Sequence, residues 1–414
     1  MEFLTVLYLT YTFIAFYFLT LHILIYLQNK SQVYAAPKYT KVKDLSIILP
    51  CYNDGKNIGK FIENILKTDY PGLKKVIIVD DYSEDDSYEI IKKYARKYPK
   101  VEAYRVPEHT GRAAGPKNYG LKYANTELIG FSDDDSFPAP NAISKMVGFL
   151  EEEGVGGVTS RVFVKNPKTN FLTKSQSIEY KVMAFTRKLF EFIESIYVTN
   201  GPLSIYKKEV LDKTGGFDMK NLTEDIELTW NTVSKGYKVR MCIPAVVRSR
   251  VPETVGQWFR QRIRWNVGGI QTVAKYRKKF LQCGMLGLFI MPFFTLSWIL
   301  GITGLFFLAY RFFNFILMKF LVAKYSVAAN VALITTDSFT LNPSILFFFG
   351  MLLFSLGLTY TFTSLFYSRG QAKIIGHPIR DIFIYSIFYL IMYPPLLLTA
   401  FYKYARGYNE WGTR

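Results

Sequence analysis

The stretch KKVIIVDD, residues 74–81, decides the fold of this chain. Successive β-branched apolar residues are typical of a buried strand, and the strand ends in two adjacent carboxylates, Asp80 and Asp81. Three other β-rich stretches have a similar character: LSIILP at 45–50, VEAYRVP at 101–107 and ELIGFSDDD at 127–135. Charged helical segments such as SYEIIKKYARKY, residues 87–98, lie between them. This alternation predicts an α/β domain with a mainly parallel sheet and helices on both faces.

Two acidic clusters lie where this sheet would bind a ligand, because ligands of such sheets bind at the carboxyl ends of the strands. Asp80 and Asp81 end one strand, and Asp133, Asp134 and Asp135 end another. Adjacent carboxylates repel one another unless a cation or a hydrogen-bond donor lies among them. Oxygen ligands at the spacing of Asp133 and Asp135 suit a hard divalent cation, Mg²⁺ or Mn²⁺. The alternative for either cluster is an exposed turn that caps the next helix.

A third acidic segment, LTEDIELTW at 222–230, allows two interpretations. In one, Thr223 caps a helix, and Glu224, Asp225 and Glu227 lie in its first turn, where negative charge is favoured. In the other, Asp225 is a general base that takes a proton from an acceptor hydroxyl.

The stretch GQWFRQRIRWNVGG, residues 256–269, also has two interpretations. Apolar residues recur at three- to four-residue steps with basic residues between them, which predicts an amphipathic helix lying in a membrane interface. That pattern does not account for Gln261, Arg262, Arg264 and Trp265 standing together. Guanidinium groups bind diphosphate oxygens, and an indole face suits sugar stacking. One element could thus lie on the membrane and close over a nucleotide diphosphate.

The composition indicates a membrane protein, since half of the 414 residues are apolar and 17% are aromatic. Phe3–Leu27 is long enough to cross a bilayer, and neither a basic segment before it nor a cleavage site after it indicates a signal peptide. Four lysines between 30 and 43 place the N-terminus outside and the next domain in the cytoplasm.

The formal net charge is +18, but the basic residues flank the spans and no nucleic-acid-binding motif is present. The three scattered cysteines do not form a zinc or disulfide pattern.

The chain becomes apolar again after Gly284, and three segments there are long enough to span: Met285–Leu308, Pro343–Tyr367 and Ile382–Tyr402. Polar residues interrupt Phe312–Thr335, which is a lipid-facing span, a channel-facing span or an interfacial helix. Counting it gives five spans. The expected domains are an N-terminal transmembrane helix (1–28), a cytosolic α/β domain (44–250), interface helices (251–283), C-terminal transmembrane helices (284–403) and a cytosolic tail (404–414).

These motifs together resemble the processive family 2 glycosyltransferases, which have the Rossmann-like GT-A fold. Their signature is an Asp, an Asp-x-Asp, a third Asp and Gln-(Gln/Arg)-x-Arg-Trp. It is similar here to Asp80–Asp81, Asp133–Asp135, Asp225 and QRIRW at 261–265, and the interval from the third Asp to the Gln also agrees. ILPCYND at 48–54 resembles the first nucleotide-binding loop of the family. HTGRAAGPKNYGL at 109–121 resembles its Gly-Lys-x-x-x-Leu-Asn-x-Gly loop, with Arg112 in place of Lys and an atypical Pro116–Lys117.

Two further stretches resemble hyaluronan synthases in particular. TNGPLSIYKKEVL at 199–211 is similar to their acceptor loop, and NEWGTR at 409–414 is similar to their C-terminal gating motif. TEDIELTW at 223–230 is closer to cellulose and poly-N-acetylglucosamine synthases. The resemblance covers residues 45–414.

The resemblance implies a donor, a metal and a set of roles. The donor would be a UDP-sugar, Asp133 and Asp135 would bind Mg²⁺ or Mn²⁺, and Asp225 would be the catalytic base. The nucleotide-binding residues would be Tyr52, Asp54, Asp81, Arg112, Lys117, Asp134, Gln261, Arg262, Arg264, Trp411 and Arg414. The acceptor-binding residues would be Asn200, Gly201, Pro202, Glu224 and Trp265.

The implied function is a multi-pass cell-membrane enzyme that builds a β-linked polysaccharide from UDP-sugars and translocates it. Its partners would be the growing glycan and the lipid bilayer. One alternative is a non-processive enzyme similar to glucosylceramide synthase, which transfers one sugar to a lipid. Another is a membrane channel or scaffold without catalysis, against which the intact carboxylates argue. The C-terminal Trp-Gly-Thr-Arg favours the processive enzyme.

Overall fold

A computed structural model describes residues 2–329, 345–367 and 379–408 of the chain. The strands are β1 (Leu45–Cys51), β2 (Leu73–Asp80), β3 (Val101–Arg105), β4 (Leu128–Phe131), β5 (Ser136–Pro138), β6 (Val155–Val164), β7 (Ser204–Lys207) and β8 (Lys238–Ser249). The helices are α1 (Glu2–Asn29), α2 (Gly55–Leu66), α3 (Ser87–Lys97), α4 (Ala114–Leu121), α5 (Ala142–Val147), α6 (Phe171–Glu191), α7 (Lys208–Thr214), α8 (Glu224–Ser234), α9 (Val255–Tyr276), α10 (Met291–Ala328), α11 (Ile345–Tyr367) and α12 (Ile379–Ala405).

The eight strands form a sheet in the order β3-β2-β1-β4-β7-β6-β8-β5. The first half is parallel, as the alternation predicts: β2 pairs with β1 and β3, and β1 also pairs with β4. The second half is mixed, because β7 runs antiparallel to β4 and β6, and β5 antiparallel to β8. The predicted α/β class is confirmed.

The β2 strand shows why apolar residues follow one another without a polar alternate. Val76 and Ile78 lie in one buried cluster, and Ile77 and Val79 lie in the cluster on the opposite face of the sheet. All four side chains are fully buried. Because both faces are covered, each position of the strand stabilises the fold by about 1.5–3 kcal/mol through burial. The carboxylates come only where the strand leaves the sheet.

The parallel pairing brings the functional loops to one edge. Because β2, β1 and β4 are parallel neighbours, their carboxyl ends lie side by side. The segments that follow, from Tyr52, Asp81 and Ser132 onward, therefore start at the same edge. This is the edge at which the sequence predicts the ligand.

Four helices are long and apolar enough to cross a membrane: Thr5–Asn29, Leu286–Ala328, Phe348–Phe366 and Ile379–Ala405, among the residues described. The structure differs from the sequence prediction at Phe312–Thr335. Its described part continues α10, a single helix of 38 residues. At about 1.5 Å per residue this helix is about 57 Å long, nearly twice the ~30 Å hydrocarbon core. The structure thus places one long helix where the sequence indicates two spans.

The α9 helix is amphipathic, but its apolar face does not lie open to lipid. Trp258 and Ile270 of α9 are buried in a cluster with Leu396 and Leu397 of α12 and with Trp298 of α10. The apolar periodicity therefore reflects packing against membrane helices. This packing joins the α/β domain to the apolar part of the chain.

Candidate active site

A cavity of about 840 Å³ opens at the carboxyl ends of the parallel strands. Its walls come from the loops after β1, β2 and β4, the segment before β7, the start of α8, and the facing sides of α6, α9, α10 and α12. The predicted site residues that line it are Tyr52, Asp81, Arg112, Asp133, Asp134, Asp135, Asn200, Gly201, Pro202, Glu224, Asp225, Gln261, Arg262, Arg264 and Trp265. Residues separated by more than two hundred positions thus meet in one space.

Two of the predicted residues lie away from the cavity wall, and two others fall outside the described residues. Lys117 and Asp54 do not line the cavity within the described part of the chain. Asp54 lies at the N-terminus of α2, where its carboxylate accepts a hydrogen bond from the Asn57 amide at 2.7 Å. Trp411 and Arg414 lie outside the described residues.

One end of the cavity combines an aromatic stack with a buried carboxylate. The Tyr52 ring lies on His109, with centroids 4.2 Å apart and an interplanar angle of 23°. Asp81 accepts hydrogen bonds from the backbone N–H and the hydroxyl of Thr110 at 3.1 and 2.7 Å. Burial raises the pKa of the Asp81 carboxyl. The sequence analysis assigned no role to His109, although it lies in the second nucleotide-binding loop.

Asp80 has a structural role beside this end of the cavity. Its carboxylate is fully buried and accepts from Arg105 at 2.6 Å and from the backbone N–H of Ser83 at 3.1 Å. Tyr82 between them adopts φ +67°, a left-handed conformation that is rare for a bulky residue. Asp81 lines the cavity, whereas Asp80 is buried in the fold.

The Asp133–Asp135 segment fits a hard cation that takes part of its ligands from the protein and the rest from a substrate and water. Asp133 and Asp135 line the cavity and are partly exposed within it. Among the residues described, no three His, Cys, Asp or Glu side chains converge as a complete metal site. Mg²⁺ is commonly held by one or two carboxylates, with waters and substrate phosphates as the other ligands. Asp133 and Asp135 therefore supply the one or two carboxylates that such an ion commonly takes from a protein.

Gly201 makes room for this acidic segment. A Cβ atom at Gly201 would lie 2.4 Å from Asp133 Oδ2, so any other residue would displace the carboxylate. The neighbouring Asn200 is fixed by β6: its backbone N–H donates to Thr159 and its amide to the Ser160 carbonyl, at 2.8 and 2.6 Å. The predicted acceptor loop and the acidic segment are thus in direct contact.

Asp225 lies in the first turn of α8 beside a buried ion pair. Lys117 is 2% exposed, and its Nζ lies 2.9 Å from Glu224 and 3.4 Å from Asp133. Burial alone would raise the pKa of Glu224, but the Lys117 ammonium outweighs it and the pKa is lowered. Among the described residues, no ammonium or guanidinium group lies at hydrogen-bond distance from Asp225, and burial together with the Glu224 carboxylate raises its pKa to about 6. A carboxylate of this pKa is well suited to accept a proton near neutral pH.

This arrangement places Lys117 and Glu224 in one ion pair. The Lys117 ammonium is engaged by two carboxylates beneath the cavity, so it is placed to balance their charge. Glu224 is in turn held by Lys117, and only part of it borders the acceptor space.

The QRIRW segment brings two arginines with different environments. Arg262 is buried and forms an ion pair with Glu179 of α6, and its guanidinium lies 4.0 Å over the Trp265 ring. Tyr389 of α12 donates to the same Glu179 carboxylate at 2.6 Å. Arg264 donates to the Leu222 carbonyl at 3.2 Å. Burial and the Glu224 carboxylate raise the pKa of Asp225, and the Arg264 charge partly offsets that rise. Arg264, and not Arg262, therefore faces the carboxylate side of the cavity.

The far end of the cavity is aromatic. Tyr385, Tyr389 and Tyr393 recur every four residues of α12 and line it together with Phe294 and Trp298 of α10. The four-residue spacing of tyrosines in YSIFYLIMY, residues 385–393, indicates that they share one face of a helix. The sequence does not show which other helix this face contacts.

Comparison with known proteins agrees with this site. A family model described as glycosyl transferase family 2 matches residues 46–215. The chain is 27% identical over 258 residues to a poly-beta-1,6-N-acetyl-D-glucosamine synthase of Staphylococcus epidermidis, covering 62% of each protein. It is 27% identical over 237 residues to a protein of the same name from Staphylococcus aureus strain COL, covering 57% of each. The chain thus matches about three fifths of the length of these relatives.

A solved structure is similar over nearly the whole chain. The mannosyltransferase PcManGT from Pyrobaculum calidifontis, in complex with GDP-Man and Mn²⁺, has a TM-score of 0.56 and 18% identity. The match covers 97% of this chain and 99% of that one. It shows a shared fold.

Proposed function

We propose that this chain, whose residues 46–215 form a family 2 glycosyltransferase domain, is a membrane-embedded, processive and inverting enzyme that uses a UDP-sugar to extend a β-linked polysaccharide. One observation carries the proposal: a single cavity holds the aromatic and acidic donor end, the Asp133–Asp135 segment, Asp225 and the QRIRW segment. The product would be a polymer of the hyaluronan, chitin or poly-N-acetylglucosamine kind. The curated relatives are poly-N-acetylglucosamine synthases.

The donor end would bind the nucleotide. The Tyr52 ring, supported by His109, offers a face on which a uracil can stack, and Asp81 offers a carboxylate to its ring N–H. A bound Mg²⁺ or Mn²⁺ would be held by Asp133 and Asp135 and would neutralise diphosphate charge. Arg112, Asp134, Gln261 and Arg264 line the same space, and the two guanidinium groups would also stabilise the charge that develops on UDP.

Asp225 would be the base. The acceptor hydroxyl transfers its proton to the Asp225 carboxylate while its oxygen forms a bond to the anomeric carbon of the donor. The bond from that carbon to the UDP oxygen breaks, and UDP carries away the electron pair. Attack from the side opposite to UDP inverts the configuration and gives a β-linkage.

The acceptor would lie between the Asn200–Pro202 loop and Trp265, with Glu224 at its border. Aromatic faces bind sugar rings without a fixed set of hydrogen bonds, so a product can advance by one sugar between transfers. The tyrosines of α12 would continue this path toward the membrane. The α/β domain would face the cytoplasm, and Trp411 and Arg414 would close over the donor.

The test is UDP release by the purified full-length chain with Mg²⁺ or Mn²⁺ and a panel of UDP-sugars, supplied singly and in pairs. We expect UDP release with at least one donor, loss of it in Asp225→Asn, and a product many sugars long. A single glycolipid as the product would instead establish the non-processive alternative. A folded chain that releases no UDP with any donor would refute an enzymatic role.

A further inference from the structure

The buried guanidinium of Arg187 lines the acceptor side of the cavity. Arg187 lies on α6 and is 5% exposed. Its Nη1 donates to the Asn200 side-chain oxygen, its Cζ lies 5.7 Å from the Tyr197 ring centroid, and its Nε has no hydrogen-bond partner within the described chain. An amide and an aromatic face bind a cation but do not neutralise it.

Several other cations near this cavity are also buried. Three have carboxylate partners: Lys117 with Glu224, Lys188 with Glu191 and Arg262 with Glu179. Over residues 2–329, 345–367 and 379–408, no carboxylate lies within ion-pair distance of Arg187. A buried charge without a counter-charge is strongly unfavourable, and guanidinium is the cation that best matches a planar carboxylate. The arrangement is therefore complete only when a ligand supplies an anion.

The position of Arg187 indicates which part of the ligand carries that anion. Its partner Asn200 is held rigidly by β6 and precedes Gly201, which touches Asp133. The anion is thus close to the reacting sugars rather than far along a lipid. Asp225 agrees with this, because a sugar hydroxyl needs a base to attack, whereas a lipid phosphate is already ionised.

We propose that Arg187 binds the carboxylate of an acidic sugar in the acceptor glycan, at or next to the sugar that receives the new residue. The proposal rests on the proposed function in one respect: the cavity must take a glycan acceptor. It narrows the proposed function to a uronate-containing glycan, a class that includes hyaluronan and excludes chitin and poly-N-acetylglucosamine, and it assigns Arg187 to the recognition of the uronate.

The experiment is a binding comparison that needs no turnover. The purified full-length chain is titrated with a glucuronate-containing tetrasaccharide and with its carboxyl-reduced, glucose-containing counterpart, and tryptophan fluorescence is followed. We expect the acidic tetrasaccharide to bind about 10- to 100-fold more tightly, the range of a hydrogen bond to a charged group. Arg187→Gln should reduce this ratio to about twofold or less, and Arg187→Lys should keep part of it.

The matched control is Arg277→Gln, which removes an exposed arginine outside the cavity and should keep the full ratio. Equal binding of both tetrasaccharides by the unmodified chain overturns the proposal, and this comparison stands even if Arg187→Gln does not fold. A polyprenyl phosphate that binds through Arg187 while neither tetrasaccharide does would assign the residue to a lipid phosphate and also overturn it. Failure of UDP release with every donor would refute the enzymatic function and leave the binding ratio as a separate result.

Discussion

Lys117→Met removes the ammonium that holds two carboxylates beneath Asp225, the proposed catalytic base. The Nζ atom lies 2.9 Å from Glu224 and 3.4 Å from Asp133, and the lysine is fully buried. Breaking a buried ion pair by removing one partner costs about 3–5 kcal/mol, because the remaining charge stays buried and uncompensated. At roughly 2–4 °C per kcal/mol for a domain of this size, the melting temperature should fall by about 6–20 °C.

The same substitution should also change the pH profile. The Lys117 charge lowers the pKa of Asp225, while burial and Glu224 raise it, and the net value is about 6. Without the ammonium the pKa of Asp225 rises further, so a larger fraction of the base is protonated at pH 7. We expect kcat/KM to fall at pH 6–7 and to recover partly at pH 8–9.

The assays are thermal unfolding in detergent and UDP release between pH 5 and 9. Lys208→Met is the matched control, since Lys208 pairs with Asp212 at 3.1 Å on the surface, and such pairs contribute less than about 1 kcal/mol. The double variant Lys117→Met/Glu224→Gln should regain much of the lost stability, because it removes both partners of the pair. A Lys117→Met protein as stable as the control, or with an acid limb moved to lower pH, would refute the reasoning.

Three further predictions follow from the same site. In the unmodified protein, kcat/KM should fall about tenfold per pH unit below pH 6, because Asp225 must be ionised to act as the base and its pKa is about 6. A profile that stays flat to pH 5 would argue against this base. Gly201→Ala should raise the Mn²⁺ concentration needed for half-maximal UDP release, since the added Cβ would lie 2.4 Å from Asp133 Oδ2. An unchanged Mn²⁺ requirement would show that Asp133 does not bind the metal. Tyr389→Phe removes the hydroxyl that donates to Glu179, so the free energy of unfolding should fall by about 0.5–1.5 kcal/mol. Polymer elongation should slow more than UDP release from the donor alone. Equal effects on both rates would show that the contact serves stability only.

The parallel half of the sheet and its acidic edge could be predicted from the sequence because they depend on local patterns. Val76–Val79 must be a strand with two covered faces, and Asp81 follows at its carboxyl end. Strands of one parallel sheet end at a common edge, so Asp81 and Asp133–Asp135 had to meet. Asp225 and the QRIRW segment were placed only by family resemblance, since no local pattern states which edge they approach.

Other features depend on partners that are distant in the sequence. Arg262 was predicted to bind diphosphate, but its ion pair with Glu179 requires α6 and α9 to pack side by side. Lys117 was likewise predicted to bind nucleotide, and its ion pairs with Glu224 and Asp133 require α4, α8 and the loop after β4 to meet. In both cases the residue type signalled a charge, and the tertiary contact determined what that charge neutralises.

The cavity lies where the α/β domain and the apolar helices pack against each other. Glu179 of the α/β domain holds Arg262 of α9 and accepts from Tyr389 of α12, so one carboxylate joins three helices. Fully buried Trp258 packs against Phe388 and Tyr389 from the same side. Burial of such an indole stabilises the contact by a few kcal/mol, and the buried ion pair fixes its register. Because α9 also carries Arg264 and Trp265 of the cavity wall, this contact connects α12 to the cavity. Under the proposed function, it would couple sugar transfer to the advance of a product along the α12 tyrosines.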